Sequence, residues 1–128
     1  MRAGTAPAPS QAFNSPPRAP VPVYPYNAWC PALDPNDITF QWQDSGDPDA
    51  DPVVFQLEIQ QYDEPTETWS RVYISDDLSA TQFSMQGFAL DAYYAWRVFA
   101  IDRAERSAPY YTASDWSFFS TAINYCSW

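Results

Sequence analysis

From residue 37 onward, apolar side chains recur at every second position rather than every third or fourth. Ile38, Phe40 and Trp42 alternate with Thr39, Gln41 and Gln43. Phe55, Leu57 and Ile59 alternate with Gln56, Glu58 and Gln60, and Tyr94, Trp96, Val98 and Ala100 with Ala95, Arg97, Phe99 and Ile101. Successive side chains of a strand leave opposite faces, so each run reads as a β-strand with one buried side. Trp69 to Ile74, Thr81 to Met85 and Trp116 to Thr121 are further β-rich runs. Breakers separate them: Asp44-Ser45-Gly46-Asp47-Pro48, Asp63-Glu64-Pro65, Ser75-Asp76-Asp77, Met85-Gln86-Gly87 and Ser107-Ala108-Pro109. Val21 to Tyr26, interrupted by proline, suits a sheet edge. Seven short strands in about 100 residues, with no convincing helix, predict an all-β, seven-stranded immunoglobulin-like sandwich. The phase of the alternation puts Phe40, Trp42, Leu57, Tyr94 and Trp96 in the core. It turns Phe99 and Ile101 outward, with Phe119 a further outward candidate.

Composition removes many activities. The chain has no His and no Lys, so no Ser-His-Asp triad, His general base, Schiff-base lysine or P-loop lysine is available. Two Cys alone build neither a zinc nor an iron–sulfur site. All sixteen acidic residues lie in 31–128 with four Arg, a net −12, which argues against nucleic acid and anionic membranes as partners. No apolar run is long enough to cross a membrane as a helix. Residues 1–30 carry only Arg2 and Arg18 as charged side chains, and seven of the thirteen prolines lie in 1–25. Residues 1–19 therefore read as an extended, Pro-rich N-terminal arm, and 20–128 as the sandwich with a short C-terminal extension. No apolar run follows Met1-Arg2-Ala3-Gly4, so no signal peptide is visible. Two readings follow: a chain that stays in the cytosol, or a processed form or fragment of an exported one.

The residues of the body resemble a fibronectin type III domain of the bacterial cell-surface type, over roughly 20–121. The resemblance rests on Ile38-Thr39-Phe40-Gln41-Trp42, on the Asp- and Pro-rich stretch from Asp44 to Val53 leading into Phe55-Gln56-Leu57-Glu58-Ile59, and on Ser114 to Thr121. Its most specific part is Leu90 followed by Tyr94-Ala95-Trp96-Arg97-Val98-Phe99-Ala100-Ile101-Asp102. Cys30 and the arm lie outside the family pattern, and Tyr110-Tyr111 replace the small polar residues usual before the last strand. The resemblance implies that the first and last strands end at one pole. Cys30 and Cys126 then come near enough for a disulfide, which suits an extracellular or periplasmic setting; two free thiols are the alternative. The same topology brings Asp102 to the pole of Asp44, Asp47, Asp49 and Asp51. These carboxylates can hold a hard cation such as Ca²⁺, while a solvated turn shaped by Asp and Pro is the simpler reading. No other cofactor is called for.

Nothing marks a pair of carboxylates as an acid and a base in separate environments, so the expectation is a protein without enzymatic activity. The arm is long, free of acid and weakly basic, and the bodies are acidic, so arm-to-body attraction is favourable where body-to-body contact is not. The leading expectation is an extracellular structural protomer whose partners are other copies of itself. The arm engages the next copy head to tail and builds a surface filament or pilus-like fibre. Its interface would use Arg2, Phe13, Arg18, Phe99, Ile101, Tyr110 and Tyr111. The alternative is an adhesion or carbohydrate-binding module excised from a larger cell-surface protein, with glycans as partners; a protein-binding domain of receptor type is a third. Thr5, Ser10 and Ser15 in the arm are candidates for O-linked sugar.

Overall fold

The computed structural model describes residues 16–27, 31–48, 50, 52–102 and 110–122. Among these there is no helix. Eight strands follow in order: β1 Val21–Tyr24, β2 Ile38–Gln43, β3 Val53–Asp63, β4 Thr68–Ile74, β5 Gln82–Met85, β6 Tyr93–Asp102, β7 Tyr110–Ala113 and β8 Ser117–Ser120. They form two antiparallel sheets in a sandwich-like arrangement. One has the order β1-β2-β5; the other has β4-β3-β6, with β7 and β8 both paired to β6 on its far side.

The alternation of the sequence sets the two layers. Ile38, Phe40 and Trp42 of β2 face Phe55, Leu57 and Ile59 of β3 and Tyr94, Trp96, Val98 and Ala100 of β6, all buried in one cluster. The interior is dominated by rings meeting edge to face: Phe40 lies 5.2 Å from Trp96 and 5.6 Å from Phe119, and Trp42 lies 5.8 Å from Phe55. Such pairs add to the hydrophobic burial of the rings themselves. Trp96 Nε1 donates to Pro25 O at 2.8 Å, tying the core to the segment after β1. Trp42 Nε1 is buried with no hydrogen-bond partner among the described residues.

Three expectations need correction. Among the described residues eight strands stand where seven were expected, because the last one divides. β6 is longer than any one partner, and Phe99–Asp102 pair with β7 while Tyr93–Trp96 pair with β8. The chain bulges away between them, and Tyr110 and Tyr111, expected just before the last strand, lie on β7. Phe119 is fully buried and stacks on Tyr94 at 5.0 Å; its neighbour Phe118 takes the outward side. Ile101 does point to the outer face but is only 6% exposed. Leu90, part of the resemblance, is 71% exposed, and Phe88 packs on the core in its vicinity, 5.1 Å from Tyr94 and 5.7 Å from Phe119.

Where the ladders become irregular, one device recurs three times. Ser114 N donates to Val98 O at 2.8 Å while Val98 N donates to Ser114 Oγ at 3.0 Å. Ser75 clasps Leu57 in the same way, with both distances 2.9 Å. Thr121 clasps Ala92, at 2.9 Å and 3.0 Å. In each the hydroxyl stands in for a backbone carbonyl that the departing chain has turned away. A buried N–H that would otherwise lack a partner is thereby satisfied.

Candidate functional site

The outer face of the five-stranded sheet carries the chemistry. Its residues are those the alternation leaves outside, and strand register arranges them in rows. Gln56 lies across from Phe99, Glu58 from Arg97 and Gln60 from Ala95 between β3 and β6; β7 sets Tyr111 beside Ile101. At the centre lies Glu58, 1% exposed on the solvent side of its sheet because two guanidinium groups cover it. Arg97 Nε donates to Oε1 at 2.8 Å and Arg71 Nε to Oε2 at 2.9 Å. Burial pushes the Glu58 carboxyl upward, but the hydrogen bonds from Arg97, Arg71 and Gln60 outweigh it and hold the group below its ordinary value.

Arg97 is itself held between rings, its guanidinium 4.3 Å from the centre of Trp116 and 4.8 Å from that of Phe99. Such cation–π contact fixes a long side chain that would otherwise sweep solvent. Trp116 can stack there because the bulge that begins at the Ser114 clasp carries it over the sheet. The Arg97–Trp116 pair forms a ridge between two hollows. One, of about 750 Å³, is lined by Gln56, Arg71, Phe99, Ile101 and Tyr111 among others. The other, of about 170 Å³, is lined by Gln60, Trp69, Trp116 and Phe118. Further rings continue the face: Tyr62 lies 5.1 Å from Trp69, and Trp69 5.9 Å from Phe118. Tyr111 is 65% exposed and meets Phe99 at 5.8 Å. Sequence reasoning singled out Phe99, Ile101 and Tyr111 but missed Trp116, Trp69, Arg71, Arg97 and Glu58; it also named Tyr110, whose side chain lies outside the described residues. The one usable signal was the opposite charge of outward residues Glu58 and Arg97 on neighbouring strands.

The sheet also has an open edge. β4 pairs only with β3 among the described residues, and Trp69, Val72 and Ile74 on it are exposed. A strand of this length with one free edge is a template for another chain.

Other expected site residues fall elsewhere. Arg18 belongs to a segment laid against the body: its N–H donates to Gly46 O at 3.0 Å, and Pro17 and Pro20 on either side are buried. Of the proposed cation ligands, Asp44 Oδ1 accepts from Gly46 N at 2.8 Å, closing a tight turn, Asp47 is half-buried, and Asp102 is fully buried at the end of β6. Asp49 and Asp51 lie outside the described residues, among which no three His, Cys, Asp or Glu side chains gather as a metal site. Arg2, Thr5, Ser10, Phe13, Ser15, Cys30 and Cys126 also lie outside them. No family model matches the chain, and no curated protein matches it in sequence.

Proposed function

We propose that the chain is a fibronectin type III-like sandwich acting as a non-catalytic, extracellular structural protomer, whose N-terminal arm engages the next copy to build a filament. The fold reading is supported by the strand order, with β1, β2 and β5 in one layer and β4, β3, β6 and the divided last strand in the other. It is supported also by Tyr94, whose hydroxyl accepts from Ala89 N at 2.9 Å just before β6. A tyrosine bonding back to backbone a few residues upstream at this corner is a feature of immunoglobulin-like sandwiches. The assembly reading is carried by the aromatic outer face of a body that is otherwise strongly acidic. The arm is the one long acid-free segment that such a body attracts rather than repels.

The extracellular setting goes with a Cys30–Cys126 disulfide. Both described flanks of Cys30 are bonded to the strand that leads toward Cys126: Asn27 N donates to Ser117 Oγ at 3.0 Å and Leu33 N to Ser120 O at 2.9 Å. Alkylation of the unreduced, denatured chain should label neither cysteine; labelling of both would remove this part of the reading.

Deleting residues 1–15 tests the assembly. The segment from Pro16 onward keeps its contacts, so the truncated chain should remain folded by circular dichroism and elute as a monomer. The full chain should form polymers visible by negative-stain microscopy. Filaments that survive the deletion, or a full chain that stays monomeric at high concentration, would sink the proposal. A second reading, an adhesion or carbohydrate-binding module, is favoured by the same rings, which lie beside Gln56 and Gln60 and can stack on sugars. It expects a monomer with or without the arm.

A further inference from the structure

We infer that the hollows flanking the Arg97–Trp116 ridge are the acceptor site for the acid-free residues 1–15 of a second copy, with Pro7 and Pro9 taken up in a polyproline-II segment. This deepens the assembly reading and rests on it. Grooves that take such segments are lined by rings set far enough apart for proline to seat between them, with N–H or O–H donors for the outward-pointing carbonyls. The outer face has this construction. Tyr111 with Phe99 walls one hollow, Trp69 with Phe118 walls the other, and Trp116 stands between. The Tyr111 hydroxyl and the Arg71 guanidinium are donors at the rim of the larger hollow.

The occupant follows from charge, from composition and from where the described chain begins. Another acidic body is repelled, whereas residues 1–15 hold no acid and one Arg, with Pro7 and Pro9 among Ala and Ser. The remainder of this Pro-rich stretch already uses its rings as contacts, since Pro17 and Pro20 are buried and the residues between them exposed. That three-residue spacing is the period of polyproline II. In the same geometry fifteen residues span about 46 Å, at ~3.1 Å each. The face from Ala95 to Ile101 needs only about 20 Å at strand rise. The arm thus has length to fill the groove and cross a gap between copies. The body's own groove is disfavoured. The chain enters at Gly46, the pole where β2 ends, and the groove runs back along β6 from that pole. An arm stiffened by Pro16-Pro17 would have to reverse to reach it. Strand addition along β4 fits less well, because Pro7 and Pro9 lack the N–H a ladder needs.

Sedimentation equilibrium of four full-length chains tests this: the natural one, Tyr111→Ala, Trp116→Ala, and the double variant Pro7→Gly with Pro9→Gly. Tyr111 is exposed, so its variant keeps the fold even if Trp116→Ala does not. Each variant should lose at least tenfold in association. An equimolar mixture of Tyr111→Ala with the glycine variant should give a one-to-one dimer, the intact arm of one in the intact groove of the other. If the Tyr111 and Trp116 variants polymerise normally while deletion of 1–15 abolishes polymers, the groove assignment falls and the assembly reading stands. If the glycine variant associates as well as the natural chain, docking is by strand addition and the inference is wrong. A natural chain that is monomeric overturns both, whether its groove holds its own arm or binds an immobilised polysaccharide in a Tyr111-dependent way.

Discussion

Trp96→Ala is expected to cost about 3–5 kcal/mol, a large share of the 5–15 kcal/mol by which a domain of this size is stable. Trp96 is fully buried at the middle of the longer sheet. Its ring meets Phe40 at 5.2 Å and Trp42 at 6.5 Å, so truncation opens a cavity bounded by two other large rings that cannot collapse into it. The substitution also removes the bond from Nε1 to Pro25 O, leaving that carbonyl with Ser117 Oγ at 2.8 Å. Trp96→Phe separates the two effects: it keeps most of the ring and should lose about 1–2 kcal/mol, from the hydrogen bond and the smaller volume. Trp42 offers the contrast. Its Nε1 makes no hydrogen bond among the described residues, so Trp42→Phe loses ring volume and no bond. Urea unfolding measures all three, with the shift in midpoint at constant slope giving the difference. A loss below 1 kcal/mol for Trp96→Ala would mean that the sandwich is not centred on this residue.

Glu58→Ala should cost about 2–3 kcal/mol, from two charge-assisted hydrogen bonds lost together. The figure stays below that for a wholly buried ion pair because the side chains of Arg71 and Arg97 retain 53% and 28% exposure, and water takes over their solvation. The effect depends on pH, and its sign follows from the direction of the shift. The folded carboxyl titrates below the unfolded value of 4.5, so the ionised network stabilises fully above 4.5 and is lost as pH falls through the lower folded value. Glu58→Gln keeps the shape without the charge. The stability gap between the natural chain and this variant should be widest near neutrality and close in acid. A gap that is the same at pH 7 and at pH 3 would show that Glu58 acts through packing alone. Loss of the network should also free Arg97 from its place between Phe99 and Trp116, visible as a change in tryptophan fluorescence.

The layers of the sandwich were legible in the chain because alternation is local. Ile38-Thr39-Phe40-Gln41-Trp42 tells which side chains face in without reference to any other segment. The buried set Phe40, Trp42, Leu57, Tyr94 and Trp96 needs only that phase and the pleat of a strand. The outer face was half legible. Phe99, Ile101 and Tyr111 could be named, but their company could not, because cross-strand neighbours depend on register. Arg71 reaches Glu58 from thirteen residues away and Arg97 from thirty-nine, and no short-range pattern records either pairing. Ile101 shows the same limit: parity sends it outward, yet what surrounds it there leaves it only 6% exposed.

By itself the sequence determined an all-β chain with an aromatic interior, a strongly acidic body and a Pro-rich, acid-free N-terminal stretch. Each follows from residue type and spacing, which are properties of one segment at a time. Only the tertiary structure decided that the last strand divides at Ser114, that Trp116 is thereby carried over Arg97, and that Ser75, Ser114 and Thr121 close the ladders with their hydroxyls. Serine and threonine are common in loops and carry no mark of such a role. Their hydroxyls become necessary only when pairing buries a backbone N–H whose expected carbonyl has turned away, a condition set by two strands at once.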